Sequence, residues 1–382
     1  MSAKGAGRVA SGHPWIFSSD IADRGGAGPG DVVRVVDPKA RLLGVAHYSS
    51  TSQICLRMLS RRQDTVDREF YRARLGAALE HRRRVVSDSD AYRLVFSEAD
   101  LLPGLVVDRY GDYLVMQTLD QGMDRATDDI AACLDELVSP IAIVLRNDAH
   151  VRERESLAVE KRVLSGELPG RVRVRMNRLT FEADLLEGQK TGVYLDQREN
   201  YRAAARYARG RMLDCFTSMG GFALHCAGFC ERVTAIDSSG PALAIASSNA
   251  AANGIGNVDF READVFDFLA SEQHGRQSYD AIVLDPPAFA KSRASVEGAA
   301  RGYKEINLRA LKLLSPGGIL VTCSCSHHMS EAMLLEVVAE AALDAGKTLR
   351  VLERRTQSAD HPILLTVPET LYLKCLILEV VG

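Results

Sequence analysis

Tyr279-Asp280-Ala281-Ile282-Val283-Leu284-Asp285-Pro286-Pro287-Ala288-Phe289 is the stretch whose reading decides the fold. It is a strand that runs into a carboxylate and stops against two prolines. Successive prolines fix an extended turn and keep the preceding residue out of the helical region. Asp285 and a backbone carbonyl are therefore presented rigidly at a strand end. Working outward, the strands expected around it are Arg211–Phe216, Arg232–Asp237, Val258–Asp264 and Ile319–Cys323. Helices fit between them, notably Gly240–Asn253 and Gly298–Leu314, the second closed by the stop signal Ser315-Pro316-Gly317-Gly318. Strand–helix alternation of this kind, beginning after Arg175, predicts a doubly wound, mostly parallel α/β sheet.

Upstream the pattern changes. Asp31–Val36, Leu42–Ala46 and Gln53–Met58 are short β-rich runs separated by Gly, Pro and Ser turns, which suggests a small barrel with its own core. From about Asp67 to Arg84 the chain turns helical and basic. Strands Leu105–Asp108 and Tyr113–Gln117 follow, joined through Gly111-Asp112, then a helix over about 123–137 and a strand Ile141–Leu145. Three domains are expected: 1–66, 67–175 and 176–382.

Composition sets outer limits. At 382 residues the chain is too long for one ordinary core, and 46% hydrophobic with 25% charged residues is the balance of a globular protein. No apolar run reaches the length of a membrane span, and the N-terminus has no apolar signal region, so a cytoplasmic location without membrane association is the default expectation. The eight cysteines are scattered, with no CxxC spacing and no Cys/His cluster, so neither a disulfide scaffold nor a metal site is expected. Net charge is only −3, but the distribution is uneven: Arg57–Arg84 holds nine Arg/Lys against four acids, and Pro286–Lys312 six against two. Such excesses suit a phosphate backbone, and equally suit solvated helix faces with i,i+4 pairs.

In a sheet of this kind ligands bind beyond the carboxyl ends of the strands, near the switch in strand order. Those ends carry a consistent set. The first has Asp214 and Phe216, then Gly220-Gly221 opening a helix, where glycines admit close backbone approach. The spacing is not the GxGxxG of a dinucleotide site. Asp237 ends the second strand, where a carboxylate accepts ribose hydroxyls or caps the next helix. Asp264 ends the third beside Phe266, suited to an adenine amino group and ring or again to a helix cap. Asp285 and its prolines end the fourth. The ordered set matches class I methyltransferases, with S-adenosylmethionine as cofactor.

At these residues the chain resembles the bacterial large-subunit (23S) ribosomal RNA cytosine-5 methyltransferase I family. The resemblance runs nearly end to end: Gly12–Phe17, Phe96–Asp108, Glu187–Glu199, Asp285–Phe289, Arg301–Lys304, Ser324-Cys325-Ser326, Asp360–Pro362 and Tyr372–Lys374 look like its motifs. It implies a β-barrel PUA domain at 1–66 that binds RNA, a central α/β domain and a Rossmann-like methyltransferase domain with a seven-stranded sheet. The segment 187–199, with Gln189, Lys190, Thr191, Gly192 and Tyr194, resembles the one that closes over the cofactor. The implied partner is 23S rRNA or a large-subunit assembly intermediate, with a homodimer as a further expectation.

The chemistry fits that implication. C5 of cytosine is a poor nucleophile, and a cysteine thiolate added at C6 activates it. Cys325, in the Ser-Cys-Ser motif, is the expected nucleophile, Cys323 its rival, and Asp285 the group at N3. Arg293, Lys304 or a helix N-terminus near Met329 are expected to lower the thiol's pKa. Many RNA cytosine-5 methyltransferases carry a second cysteine after the motif proline. Ala288 and Phe289 stand there in this chain, so release of the product needs another base, with His327, His328 or water as candidates. Trp15, the only tryptophan, is expected either in a core or stacked on a base. Two other readings remain open: amino-group methylation of a base, which needs no cysteine, and an RNA-binding assembly factor without catalysis.

Overall fold

The computed structural model describes residues 1–188, 191–275, 277–289 and 296–382. Its elements gather into two compact units. The first comprises Met1–Arg175, Ala183–Val193 and Ala359–Thr370; the second comprises Met176–Glu182, Tyr194–Ser358 and Leu371–Gly382. Gln189, Lys190 and Arg293, three of the residues expected at the site, lie outside the described residues.

In the first unit, β1 (Trp15–Phe17), β2 (Val32–Val36), β3 (Leu42–Tyr48) and β4 (Ile54–Ser60) form an antiparallel sheet in the order β1-β4-β3-β2. Val9 of the helix Ala3–Ala10 packs with Ile16, Val35, Ala46, Leu56 and Met58 in its core. The helix Arg68–Val85 follows, capped by Asp67, whose side chain accepts the Phe70 N–H at 3.0 Å. A second sheet has the order β5-β6-β7-β8-β9, from β5 (Ala91–Phe96), β6 (Leu105–Tyr110), β7 (Tyr113–Thr118), β8 (Ala142–Asn147) and β9 (Glu160–Gly166). The one helix expected over 123–137 is two, Gln121–Arg125 and Thr127–Val138, the first capped by Asp120. A hairpin, β10 (Arg171–Met176) and β11 (Leu179–Asp184), follows.

The second unit is built on β12 (Arg211–Cys215), β13 (Arg232–Asp237), β14 (Val258–Glu262), β15 (Tyr279–Leu284), β16 (Leu314–Ser324), β17 (Leu349–Arg355) and β18 (Lys374–Val380). They form one sheet, β14-β13-β12-β15-β16-β18-β17, parallel except for β18, which is antiparallel to both neighbours. This is the Rossmann-like class I methyltransferase sheet. Successive residues of each strand face opposite sides, and both sides are buried. Leu213, Ile236, Ile282, Leu284 and Leu320 pack with the helices Val265–His274, Val296–Leu313 and Glu331–Asp344. Met212, Val233, Ala281, Val283 and Val321 pack with Arg198–Ala205 and Gly221–Ala227. Strand order reverses between β12 and β15, which places a crevice beyond their carboxyl ends.

The helix Val296–Leu313 ends where Ser315-Pro316-Gly317-Gly318 was expected to stop it, but those four residues already lie inside the next strand. β16 starts at Leu314, paired with Tyr279, and resumes pairing at Ile319 with Ala281, so the four residues bulge out with Gly317 at φ +75°.

Candidate active site

At the end of β12 the backbone alternates into the left-handed region at Phe216 (φ +63°), Ser218 (φ +49°) and Gly220 (φ +86°). Such angles are costly for Phe and Ser and mark a turn held by its surroundings. Asp214 holds it from inside. Its Oδ2 accepts the Thr217 hydroxyl at 2.6 Å and the Ala223 N–H at 2.9 Å. Asp214 is wholly buried, and burial pushes its carboxyl up to about 7. Its Oδ1 and the Ser218 Oγ are buried polar atoms with no hydrogen-bond partner among the described residues. A Cβ at Gly221 would lie 2.4 Å from the Tyr201 ring, so the chain can pass there only as glycine.

Asp237, half-buried at the end of β13, accepts the Ser218 N–H at 2.8 Å and the Ser239 N–H at 2.9 Å. It ties the β12 turn to the β13 turn. Asp264, just past β14 and exposed, caps the helix Val265–His274 by accepting the Phe266 and Asp267 N–H groups. The cap is one of the two roles expected of it, and both N–H groups go to Oδ1. Thr191 and Gly192 belong to the first unit, where the Thr191 hydroxyl donates to Asp108 at 2.6 Å and lies 3.0 Å from the Tyr110 hydroxyl. Tyr194 belongs to the second unit, with its carbonyl accepting the Tyr201 hydroxyl at 3.4 Å.

β15 and β16 are parallel neighbours, so Asp285 and Cys325, each one residue past its strand, share one edge of the sheet. Gln197, buried in the segment before the helix Arg198–Ala205, donates to Asp285 Oδ1 at 2.9 Å. Its own Oε1 accepts from Asn200 at 2.7 Å. Neither residue was singled out in the sequence, because a 88-residue separation joins Gln197 to its partner only after folding. The Tyr303 hydroxyl lies 3.3 Å from Ser326 Oγ, and burial raises its pKa, with Cys325 and Asp285 adding to the rise.

The two cysteines of the motif differ sharply. Cys323 is wholly buried and sits opposite Cys375 across β16 and β18; burial and that second thiol push its pKa well above the ordinary value. Cys325 is half-buried on the loop. Lys374 Nζ donates to the Ser326 carbonyl at 2.6 Å and the Tyr372 carbonyl at 2.9 Å.

One expectation is corrected, and the structure bears on two that were left open. Lys304 does not serve the thiol: it pairs with Glu340 and Asp344 at 3.2 and 3.0 Å. The basic helix Arg68–Val85 spends most of its cations internally, in pairs of Arg68 with Glu136, Arg72 with Glu69, Arg83 with Glu80 and buried Arg82 with Asp100. Trp15 neither fills a core nor stands free; its Nε1 donates to Glu98 at 2.8 Å, and His13 meets its ring edge-on at 5.3 Å.

Comparison with known proteins identifies the two parts. Residues 1–61 match a PUA-like domain and residues 130–377 an S-adenosylmethionine-dependent methyltransferase. A protein of Tolumonas auensis named ribosomal RNA large subunit methyltransferase I is 41% identical over 97% of this chain and 96% of its own. One of the same name from Pseudoalteromonas translucida is 40% identical over 96% and 95%. A methyltransferase solved in complex with SAH superposes with a TM-score of 0.86 at 19% identity, over 99% of this chain and 98% of its own. The cofactor is S-adenosylmethionine, and the buried, unpartnered oxygens of Asp214 and Ser218 beside Asp237 suit its polar groups. Among the described residues no helix is long and apolar enough to cross a membrane. With this match along almost its whole length, the chain belongs to the ribosomal RNA large subunit methyltransferase I family of S-adenosylmethionine-dependent methyltransferases.

Proposed function

We propose that the protein methylates C5 of a cytosine in large-subunit (23S) ribosomal RNA, with Cys325 as nucleophile and Asp285 at N3 of the base. The observation that carries this reading is the contrast between the thiols: Cys323 and Cys375 are sealed together in the sheet, whereas Cys325 stands on the loop at the edge that carries Asp285. S-adenosylmethionine, when bound, would supply an electrophilic methyl group, and Asp214, Phe216, Gly220, Gly221, Asp237, Asp264 and Tyr194 are the residues that would hold the cofactor. The Cys325 thiolate forms an Sγ–C6 bond, and the displaced π electrons pass through C5 and C4 to N3, which takes a proton from Asp285. The C4–C5 π pair then bonds to the methyl carbon as the sulfonium's S–CH3 bond breaks, its electron pair leaving on the sulfur of S-adenosylhomocysteine. Loss of the C5 proton to a base restores the C5–C6 double bond, expels the thiolate from C6 and returns the N3 proton to Asp285. Gln197 and Asn200 hold the Asp285 carboxyl in orientation.

The aromatic group an amino-directed enzyme would lay against the target base is occupied otherwise. Phe289 packs on Tyr303, with ring centroids 4.8 Å apart, and on Phe266 at 6.3 Å. Residues 1–66 serve as an RNA-binding domain before a central domain (67–175) and the methyltransferase domain (176–382). In the first unit a pocket of about 390 Å³ is lined by Met58, Leu59, Leu101 and Pro103 and rimmed by Arg61, Arg62 and Arg74, apolar for a base and cationic for its phosphates.

RNA carrying 5-fluorocytidine tests the reading, because fluorine at C5 cannot leave as a proton and the adduct accumulates. A denaturation-resistant complex with the Cys325 peptide attached to RNA is expected. Turnover on ordinary RNA by a Cys325→Ala variant would overturn the mechanism.

A further inference from the structure

We infer that Lys374 is the cation that keeps Cys325 in its thiolate form and fixes the loop that carries it, so that it is a positioning residue for the nucleophile. This rests on the reading of Cys325 as nucleophile. Lys374 opens β18 directly across from Ser324 of β16, and its side chain is 5% exposed. Two of its three ammonium hydrogens go to carbonyls, one of them Ser326, the residue after Cys325. Among the described residues its ammonium makes no ion pair with a carboxylate.

A buried ammonium without a carboxylate is expensive, and an apolar side chain of similar length would cost the fold less. Burial pushes the Lys374 ammonium down to about 8, and the charge that works against this fall is that of Cys325. Such coupling is mutual: a thiolate that favours the ammonium is favoured by it to the same extent. The other groups around the loop cannot take this part. Burial holds Tyr303 and the Cys323 thiol in their neutral forms, and the Asp285 carboxyl brings no positive charge to a thiolate. Tyr372 holds its ring tilted, 5.7 Å from exposed His327, and donates its hydroxyl to the Asp196 carboxyl at 2.8 Å, which brings no cation. His327, if protonated, would add to Lys374 from the solvent side. Lys374 is thus the buried positive group bound to the loop of the thiol among the described residues.

The test is the rate of Cys325 alkylation by iodoacetamide as a function of pH on the full chain, without RNA or S-adenosylmethionine, read on the Cys325 peptide by mass spectrometry. In the unaltered protein the midpoint is expected below the free-thiol value of about 8.5. Lys374→Met is expected to raise it by about one unit, a tenfold loss of thiolate at neutral pH. Lys374→Arg, which keeps the charge, is expected to restore it. A midpoint at or above the free-thiol value with Lys374 in place would overturn the proposal, whether or not the variants fold. So would a folded Lys374→Met protein with an unchanged midpoint. The nucleophile reading fails separately, through a Cys325→Ala variant that still methylates, and that result would leave the alkylation profile as it was.

Discussion

A carboxyl group with no exposed surface has to be ionised against its surroundings, and Asp214 is such a group. Its folded pKa of about 7 lies above the unfolded value, so its contribution to stability is fully present in acid and is lost as pH rises through about 7. Against other titrations the clean readout is a difference. Between pH 4 and 7 the unaltered protein should lose up to about 4 kcal/mol relative to Asp214→Asn, in urea unfolding followed at each pH. Parallel curves would contradict the assignment. At the nucleophile, Cys325→Ala is expected to lower methyl transfer by at least about a thousandfold, while Cys323→Ala keeps activity within a few-fold. Single-turnover transfer to RNA measures both. Asp214, Asp237 and Asp285 were legible because strand-end acids announce themselves by position. Lys374 was visible only as part of a motif, since its burial and its pairing with β16 belong to the folded sheet. Asp264 was legible as an acid with two roles open, adenine or helix cap, and the geometry shows the cap made by two helix N–H groups.

Among elements, the β12 turn and the helix Gly221–Ala227 bear most directly on the cofactor. Helix propensity alone favours alanine over glycine by up to about 1 kcal/mol in a helix. Gly221→Ala is expected to do the reverse, destabilising by about 1–3 kcal/mol, because its methyl group meets the Tyr201 ring. Urea unfolding gives the sign, and S-adenosylmethionine affinity should fall with it. The pocket of the first unit makes a second test, since Trp15 is the only tryptophan and bonds to Glu98 of its lining. Unpaired RNA is expected to change Trp15 fluorescence. Arg61→Glu with Arg62→Glu should weaken binding and flatten its salt dependence by about two units of slope. The strands β12, β13 and β15 were plain in the sequence because apolar runs end there in acids or prolines. β17 and β18 were missed: the pattern of β17 is interrupted by charges, and β18, with its apolar run Cys375–Leu378, gains its place in the sheet only through antiparallel partners on both sides. β16 was seen without its first five residues because Pro316 and Gly317 read as a stop and are in fact a bulge.

At the scale of the molecule, chemistry and its support are divided between two units. The first is stitched internally by a buried polar cluster. Arg57 pairs with Glu155 at 2.9 Å and approaches Asp120 at 3.8 Å, while His47 lies 3.1 Å from the Tyr71 hydroxyl. Removing one partner leaves a buried charge alone, so Arg57→Met is expected to destabilise the first unit by about 3–5 kcal/mol. Calorimetry should show its transition moving down while S-adenosylmethionine affinity, which depends on the second unit's acids, stays the same. No sequence pattern announced this cluster, whose members come from β3, β4 and residues up to Glu155. Unmodified 23S RNA would be incubated with the protein and labelled S-adenosylmethionine, digested to nucleosides and resolved by chromatography and mass spectrometry. Label in 5-methylcytidine is the expected result; label in a base methylated on an exocyclic nitrogen would contradict the cysteine mechanism.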